Sequence, residues 1–409
     1  MRTIILLFLV MLVFSCKETK VKSVSMKEDV SVLANDSLNG RKTGSEDEKK
    51  AAEYIATRFT DLGLQPKGTD GYLQKFTFKA SKNPHQEAEF TSENNDSTET
   101  GENVIAYLDN KSENTVVIGA HYDHLGMGGE GSLYREGPAI HNGADDNASG
   151  VAIMLHLADS LQKKDSPKNN NYLFIAFSGE EEGLLGSNYF VKNPTIDTKK
   201  VTYMLNMDMV GRLNSENALA VYGLGTSPIL KQTVNANAGS LKIIENESGV
   251  GPSDHTSFYL ADIPVLHFFT GQHEDYHKPS DDTEKVNFDG MDIISNYIFS
   301  IIKDLDSQPK LPFRKTKNES EAVPDFKVTL GVVPDYLFSG KGMRIDGVSE
   351  EKPAQKAGLQ KGDIVVKMGE FEVTDMMSYM KSLSKFEKGE TATVTINRNG
   401  ELKEVEVTF

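Results

Sequence analysis

Two histidines and a group of carboxylates stand apart in this 409-residue chain because each follows an apolar run that reads as a buried strand, or opens a helix beside one. His121 and Asp123 lie in GAHYDHLG, and Asp145 and Asp146 in NGADDNASG. Glu180 and Glu181 follow the run 172–177, Asp208 follows Val201–Met207, and His277 comes after Val265–Phe269 in DYHKPSDDTEKV. The only cysteine is Cys16, so a metal site must be built from histidine and carboxylate. Such a set suits zinc in an open catalytic site better than in a closed structural one. Two metals about 3.5 to 4 Å apart need a bridging carboxylate, and a tight Gly-rich turn such as the one holding Asp146 can present it. Asp123, two residues past His121, is placed to accept the second imidazole N–H and fix the ring. Adjacent Glu180 and Glu181 cannot both point the same way along an extended segment, which leaves one as a ligand and the other as a base.

Each signal alone has an ordinary explanation. A histidine at a strand end is usually a satisfied polar residue, the acidic run 180–182 is usually solvated surface, and NGADDNASG can be a turn and helix N-cap. Those explanations would have to hold together at four successive strand ends.

The elements that must bring these residues together are strands alternating with helices. Buried-strand runs at 116–118, 172–177, Val201–Met207 and Val265–Phe269 alternate with helical patterns at 151–161 and 291–305. This predicts an α/β domain over 40–306, a three-layer αβα arrangement around a mostly parallel sheet. Ligands collect at the carboxyl ends of strands in such sheets, so residues distant in sequence converge there. A helix is expected over 45–62, with Ser45 and Glu48 as a capping box and Gly63 as a stop. The acidic stretch 85–102 reads as a solvated loop or hairpin tip. Residues 307–324, with Pro309, Pro312 and Pro324 among charges, read as a linker.

Composition bounds the rest. A formal net charge of −16 argues against nucleic acid, whose binding draws on clustered Lys and Arg. Residues 1–16 read as a signal peptide: Arg2 supplies charge, 4–14 are apolar, and the run is too short to span a bilayer. Val13-Phe14-Ser15-Cys16 resembles a bacterial lipobox, with Phe14 departing from the small residue usual there. Lipidation of Cys16 implies an exported lipoprotein held to a membrane by its N-terminal anchor, facing periplasm or cell surface. Polar residues 17–39 then read as a tether.

Over 45–305 the chain resembles the zinc aminopeptidases that also include glutamate carboxypeptidase-like enzymes, glutaminyl cyclases and the transferrin receptor ectodomain. The resemblance implies two Zn²⁺ per chain, one held by His121, Asp146 and Asp208, the other by Asp146, Glu181 and His277, with Asp146 bridging. It gives Glu180 the role of general base toward a zinc-activated water and Asp123 that of the carboxylate behind His121. Tyr276 matches a position that hydrogen-bonds the tetrahedral intermediate, and Asp254 and His255 in GPSDHTSF match a supporting segment. All five ligand positions and the base are present, unlike in the receptor branch. The expected activity is removal of N-terminal residues from peptides. Alternatives are a carboxypeptidase, a glutaminyl-cyclase-like enzyme, or a non-catalytic peptide-binding protein.

Residues 325–409 read as a small, mainly β domain. Asn399-Gly400 between two alternating runs marks a hairpin, and 376–385 a helix. TLGVVPDY and PAQKAGLQKGDIVVKMG resemble the permuted PDZ domains of bacterial exported proteases. That resemblance implies that Thr329, Leu330, Gly331 and Val332 form a loop whose N–H groups capture a protein C-terminus. A PDZ-like fold that only packs beside the cleft is the alternative.

Overall fold

Alternate residues of a strand face opposite sides of its sheet, and in the central strands both sets are apolar. Val116 and Ile118 face one buried cluster and Val117 another; Tyr172 and Phe174 face the first, Leu173 and Ile175 the second. Such strands must be covered on both faces. The computed structural model, which describes residues 25–79, 89–93, 95, 98–129, 131–316, 327–335, 337–338, 340–349 and 352–409, shows that covering.

The larger sheet contains β1 (Gln65–Pro66), β2 (Leu73–Lys79), β3 (Glu89–Thr91), β4 (Glu99–Leu108), β5 (Asn114–His121), β6 (Asn170–Phe177), β7 (Val201–Met207), β8 (Ala218–Tyr222), β9 (Lys242–Glu245) and β10 (Val265–Phe269). Its order is β3-β2-β4-β6-β5-β7-β10-β8-β9, with β1 pairing β4. The centre, β6-β5-β7-β10, is parallel as expected. The flanks are mixed: β4 runs antiparallel to β6, β2 to β4, and β8 to β10. Parallel neighbours need long crossovers, whereas a short connection returns the chain antiparallel.

Helices α1 (Met26–Leu33), α2 (Glu46–Asp61), α3 (Gly150–Gln162), α5 (Leu230–Ala236) and α7 (Phe288–Leu305) bring their buried residues to one face. The other face receives Phe190 from α4 (Leu185–Lys192) and Phe258 and Tyr259 from α6 (His255–Leu260). Each large apolar side chain so buried is worth about 1.5–3 kcal/mol. Among the described residues no helix is long and apolar enough to cross a membrane.

Three expectations need correction. The tether expected at 17–39 is, from Ser25 onward, part of the fold: Ser25 caps α1 through Glu28 N at 3.2 Å, and Val30 and Leu33 are fully buried. Asp29, polar in sequence, is buried by pairing with Arg58 at 2.7 Å and accepting from Tyr54 at 2.6 Å. The described part of the stretch 85–102 holds β3 and the start of β4, with Glu102 buried, while 85–88 lie outside the described residues. The first part of the expected linker is packed: Leu311 is buried, and Thr316 N donates to the Tyr259 hydroxyl at 2.9 Å. The remainder of that linker, 317–324, lies outside the described residues, as does the expected signal peptide with Cys16.

After residue 326 a second, six-stranded sheet forms from β11 (Val332–Pro334), β12 (Met343–Val348), β13 (Ile364–Met368), β14 (Phe371–Glu372), β15 (Thr391–Arg398) and β16 (Glu401–Thr408). With α8 (Pro353–Lys356) and α9 (Met376–Leu383) it encloses its own core, including Leu330, Val365, Tyr379 and Ile396. The β15–β16 turn has positive φ at Asn399 (55°) and Gly400 (91°), as a type I′ hairpin requires.

Candidate metal centre

Every strand of the parallel centre ends at one crevice. His121 is the last residue of β5, Asp208 the first after β7, Glu180 and Glu181 follow β6 closely, and His277 lies in the loop after β10. Asp146 comes from the turn before α3. That turn begins at Gly143, with φ 56°, where an added Cβ would stand 2.1 Å from the Asp146 carbonyl oxygen. Only glycine fits this approach. Asp281 holds the turn from below, accepting from Asp145 N at 3.0 Å and Asp146 N at 3.0 Å.

His121 Nε2 lies 3.3 Å from Asp146 Oδ1, 3.4 Å from Asp208 Oδ1 and 4.0 Å from Glu180 Oε2. His277 Nε2 lies 3.3 Å from Asp146 Oδ2 and 3.3 Å from Glu181 Oε2. Asp146 thus turns one oxygen toward each histidine. Two donors bound at about 2.0–2.1 Å to one tetrahedral zinc stand about 3.3 Å apart. The spacings match ligand edges rather than hydrogen bonds, which are shorter. Within the described residues, His121, Glu180 and Asp208 cluster tightly enough to hold a metal ion, as do His124, Asp146 and Glu181, so that Glu180 stands in the first group where Asp146 was expected and His124 in the second where His277 was expected.

His124 is the residue the sequence reading passed over. It is buried, and its Nδ1 lies 2.7 Å from Glu181 Oε1, a hydrogen-bond distance. Its position three residues after His121 in HYDH was the available signal. Asp123 sits less directly behind His121 than expected: its Oδ1 is 3.5 Å from His121 Nδ1, and its backbone oxygen 3.3 Å. Its carboxylate instead accepts from Glu180 N at 3.1 Å, Glu181 N at 3.3 Å and Thr43 Oγ1 at 2.9 Å. It therefore fixes the glutamate turn as well as the histidine.

His277 Nδ1 is 2.9 Å from the Gly131 carbonyl, which orients its ring, and the Tyr276 ring stacks on it at 3.8 Å. Asp254 and His255 lie buried at the start of α6, and the His255 ring stacks on His267 at 4.3 Å. In the second sheet, the Gly331 N–H of the expected capture loop bonds within that loop to Thr329 Oγ1 at 3.0 Å. Leu330 is buried and Val332 pairs with Val348.

The electrostatics separate the two adjacent glutamates. Burial pushes Glu180 well above the usual carboxylate range, with Asp208, Glu181 and Asp254 adding to the shift against His121. Burial acts on Glu181 too, but His277 and His124 hold it at about 2. His121 and His277 likewise drive Asp146 well below the usual range against burial. Burial raises Asp254 to about 7 and lowers His267 to about 4. Beside these groups opens a cavity of about 230 Å³, whose lining combines Asp146, Glu180, Glu181, Asp208, His267 and His277 with Met209, Tyr222, Pro252, Phe269, Gln272 and Tyr276.

Residues 103–302, which carry all five expected ligands, match peptidase family M28. This stretch is an M28 peptidase domain. Residues 313–409 match the PDZ domain family, so a PDZ domain follows the M28 domain. A probable leucine aminopeptidase of Trichophyton verrucosum is 34% identical over 172 residues, 40% of this chain and 44% of that protein. The chain spans less than half the length of the first curated relatives it matches. Among solved structures, a zinc aminopeptidase from Bacillus subtilis superimposes with a TM-score of 0.53 at 18% identity, covering 72% of this chain and 98% of that one. A glutaminyl cyclase from Porphyromonas gingivalis gives 0.53 at 18% identity, covering 68% of this chain and 97% of that one. At such identities the likeness is one of fold, and the side chains of the M28 domain must carry the chemistry.

Proposed function

We propose that the protein is an exported dizinc aminopeptidase that removes N-terminal residues, preferably apolar ones, from peptides. One observation carries the reading: the two oxygens of Asp146 face His121 and His277 at 3.3 Å each, as a carboxylate shared by two ions requires. The remaining ligands are Asp208 on the His121 side and Glu181 on the His277 side.

Zinc, when bound, supplies Lewis acidity and lowers the pKa of water to roughly 7. Glu180, held by the Asp123 carboxylate through its backbone N–H, stands beside the His121 group without taking a ligand-edge spacing to it. It accepts the proton of the attacking water and delivers it to the leaving amine. Burial that keeps its carboxyl reluctant to ionise suits a group that must both take and return a proton. Tyr276, stacked on His277, reaches the same cavity and donates to the developing oxyanion. Carboxylates around the cavity receive the free α-amino group of the substrate, which restricts cleavage to the N-terminal residue.

The leader sequence supports export with a lipid anchor at Cys16, and the PDZ domain supports capture of protein C-termini through residues 329–332. The test is hydrolysis of free-amine and N-acetylated leucyl amides by protein carrying a measured zinc content. Cleavage of the free amine alone, abolished by a chelator, is the expected result. Zinc-loaded protein that cyclises N-terminal glutamine, or cleaves only C-terminal residues, would overturn it.

A further inference from the structure

Arg41 lies on the connection between α1 and α2, ahead of the stretch that matches the M28 family, and its side chain is among the largest fully buried in the molecule. Burying a guanidinium is costly unless its donors are met. Among the described residues it forms no ion pair with a carboxylate. Every bond goes to a backbone oxygen: Nε to Tyr122 at 2.7 Å, Nη1 to Leu33 at 2.5 Å and Asn142 at 2.6 Å, and Nη2 to Gly143 at 3.2 Å. Its own carbonyl accepts from His124 N at 3.2 Å.

Those oxygens belong to three separate segments. Tyr122 stands between His121 and Asp123; Asn142 and Gly143 open the turn that presents Asp146; Leu33 ends α1. No strand pairing holds the Asn142–Gly143 turn to the end of β5. The planar fork of Arg41 joins them, with five rigid donors where an ammonium has a single nitrogen. Charge explains how the buried cation is tolerated, because Asp123, Asp146, Asp281 and Glu181 all face it. The neighbouring residues act on the same loops: Gly40 O accepts from Gly126 N at 3.0 Å, and Thr43 Oγ1 donates to Asp123.

We propose that Arg41 is a positioning residue for metal binding: its guanidinium clasps the loop carrying His121 and Asp123 to the turn carrying Asp146, so that the ligand shell is assembled before a metal arrives. The inference rests on the metal reading of this site. It makes the N-terminal segment part of the metal centre, although none of its residues is a ligand.

The experiment compares full-length wild type with Arg41→Lys, which keeps the charge and loses the fork. Zinc affinity is measured by competition with a chromophoric chelator, beside melting temperatures with and without zinc. Weakening by about 10- to 100-fold, as for other partners that orient ligands, with a smaller zinc-induced rise in melting temperature, is expected. A variant that melts lower but binds zinc within about twofold of wild type would reduce Arg41 to a structural role and overturn the inference. Wild type that binds no zinc would instead overturn the metal reading. Hydrogen exchange on the wild type decides the matter even if the variant does not fold. Amides of 122–124 and 143–146 should be as protected in metal-free protein as in zinc-loaded protein; free exchange that ends only with zinc would show a shell assembled by the metal.

Discussion

The imidazole of His124 stands 2.7 Å from one oxygen of Glu181, shorter than the ligand edge of a tetrahedral zinc and right for a hydrogen bond. The other oxygen of Glu181 faces His277 at 3.3 Å. His124 thus turns Glu181 so that its other oxygen faces His277, where the proposed second metal would sit.

His124→Ala should therefore weaken one zinc and spare the other. Removing an orienting partner typically costs 10–100-fold in metal affinity, so titration should resolve a site weakened by about that much beside one unchanged. Equal weakening of both sites, or of neither, would contradict the assignment.

Glu180→Gln tests the base separately from the ligands. The amide keeps the size of the side chain and cannot accept a proton, so turnover should fall by about 10²- to 10⁴-fold. Metal content should remain that of wild type, because Glu180 Oε2 stands 4.0 Å from His121 Nε2, outside the ligand-edge spacing. A variant that loses zinc along with turnover would make Glu180 a ligand.

Much of this site was legible in the sequence because strand ends can be counted. The runs at Val201–Met207 and Val265–Phe269 are the observed strands, and the carboxyl ends of parallel strands meet in one crevice. His124 was legible only as a second histidine in HYDH, since nothing in a string separates a ligand from the residue that orients it, and Arg41 not at all, since nothing there shows an arginine enclosed by carbonyls. Helix α1 was missed for a related reason. Eight residues with a charged Asp29 on the inner face look solvated until Arg58, 29 positions later, supplies the partner.

Asp275 gives a prediction about pH. It lies two residues before His277 and is buried, accepting from Arg212 at 2.7 Å, Ser280 at 2.7 Å and Lys285 at 2.5 Å. Against burial, Lys285, Ser280 and Arg212 hold its carboxyl at about 2, below the ordinary 3.8. The unfolded chain therefore binds the proton more readily. The stabilisation is fully present above about pH 4 to 5 and is lost as pH falls through about 2. Discounted for solvent screening at the partly exposed Lys285, it amounts to about 1–2 kcal/mol. Denaturant melts of wild type and Asp275→Asn should differ in a pH-dependent part that is flat near neutrality and shrinks below pH 4. A gap that widens in acid would reverse the sign and refute the argument.

A substrate preference is expected from the mixed lining of the cavity. Four carboxylates, Asp146, Glu180, Glu181 and Asp208, share it with the apolar side chains of Met209, Tyr222, Pro252 and Phe269. An α-amino group belongs beside the carboxylates, which leaves the apolar residues to receive the first side chain. A methylene gained in such a pocket is worth about 10- to 200-fold in kcat/KM, so leucyl substrates should exceed alanyl by at least about tenfold. Glutamyl substrates should fall below alanyl, because their carboxylate would lose water against apolar residues in a cavity that already holds four carboxylates. Phe269→Ala should narrow the leucyl-to-alanyl ratio several-fold while leaving alanyl turnover within about twofold, since a short side chain buries little apolar surface there. Rates for the three aminoacyl coumarinamides on both proteins provide the check, and an unchanged ratio would mean that the first side chain binds elsewhere.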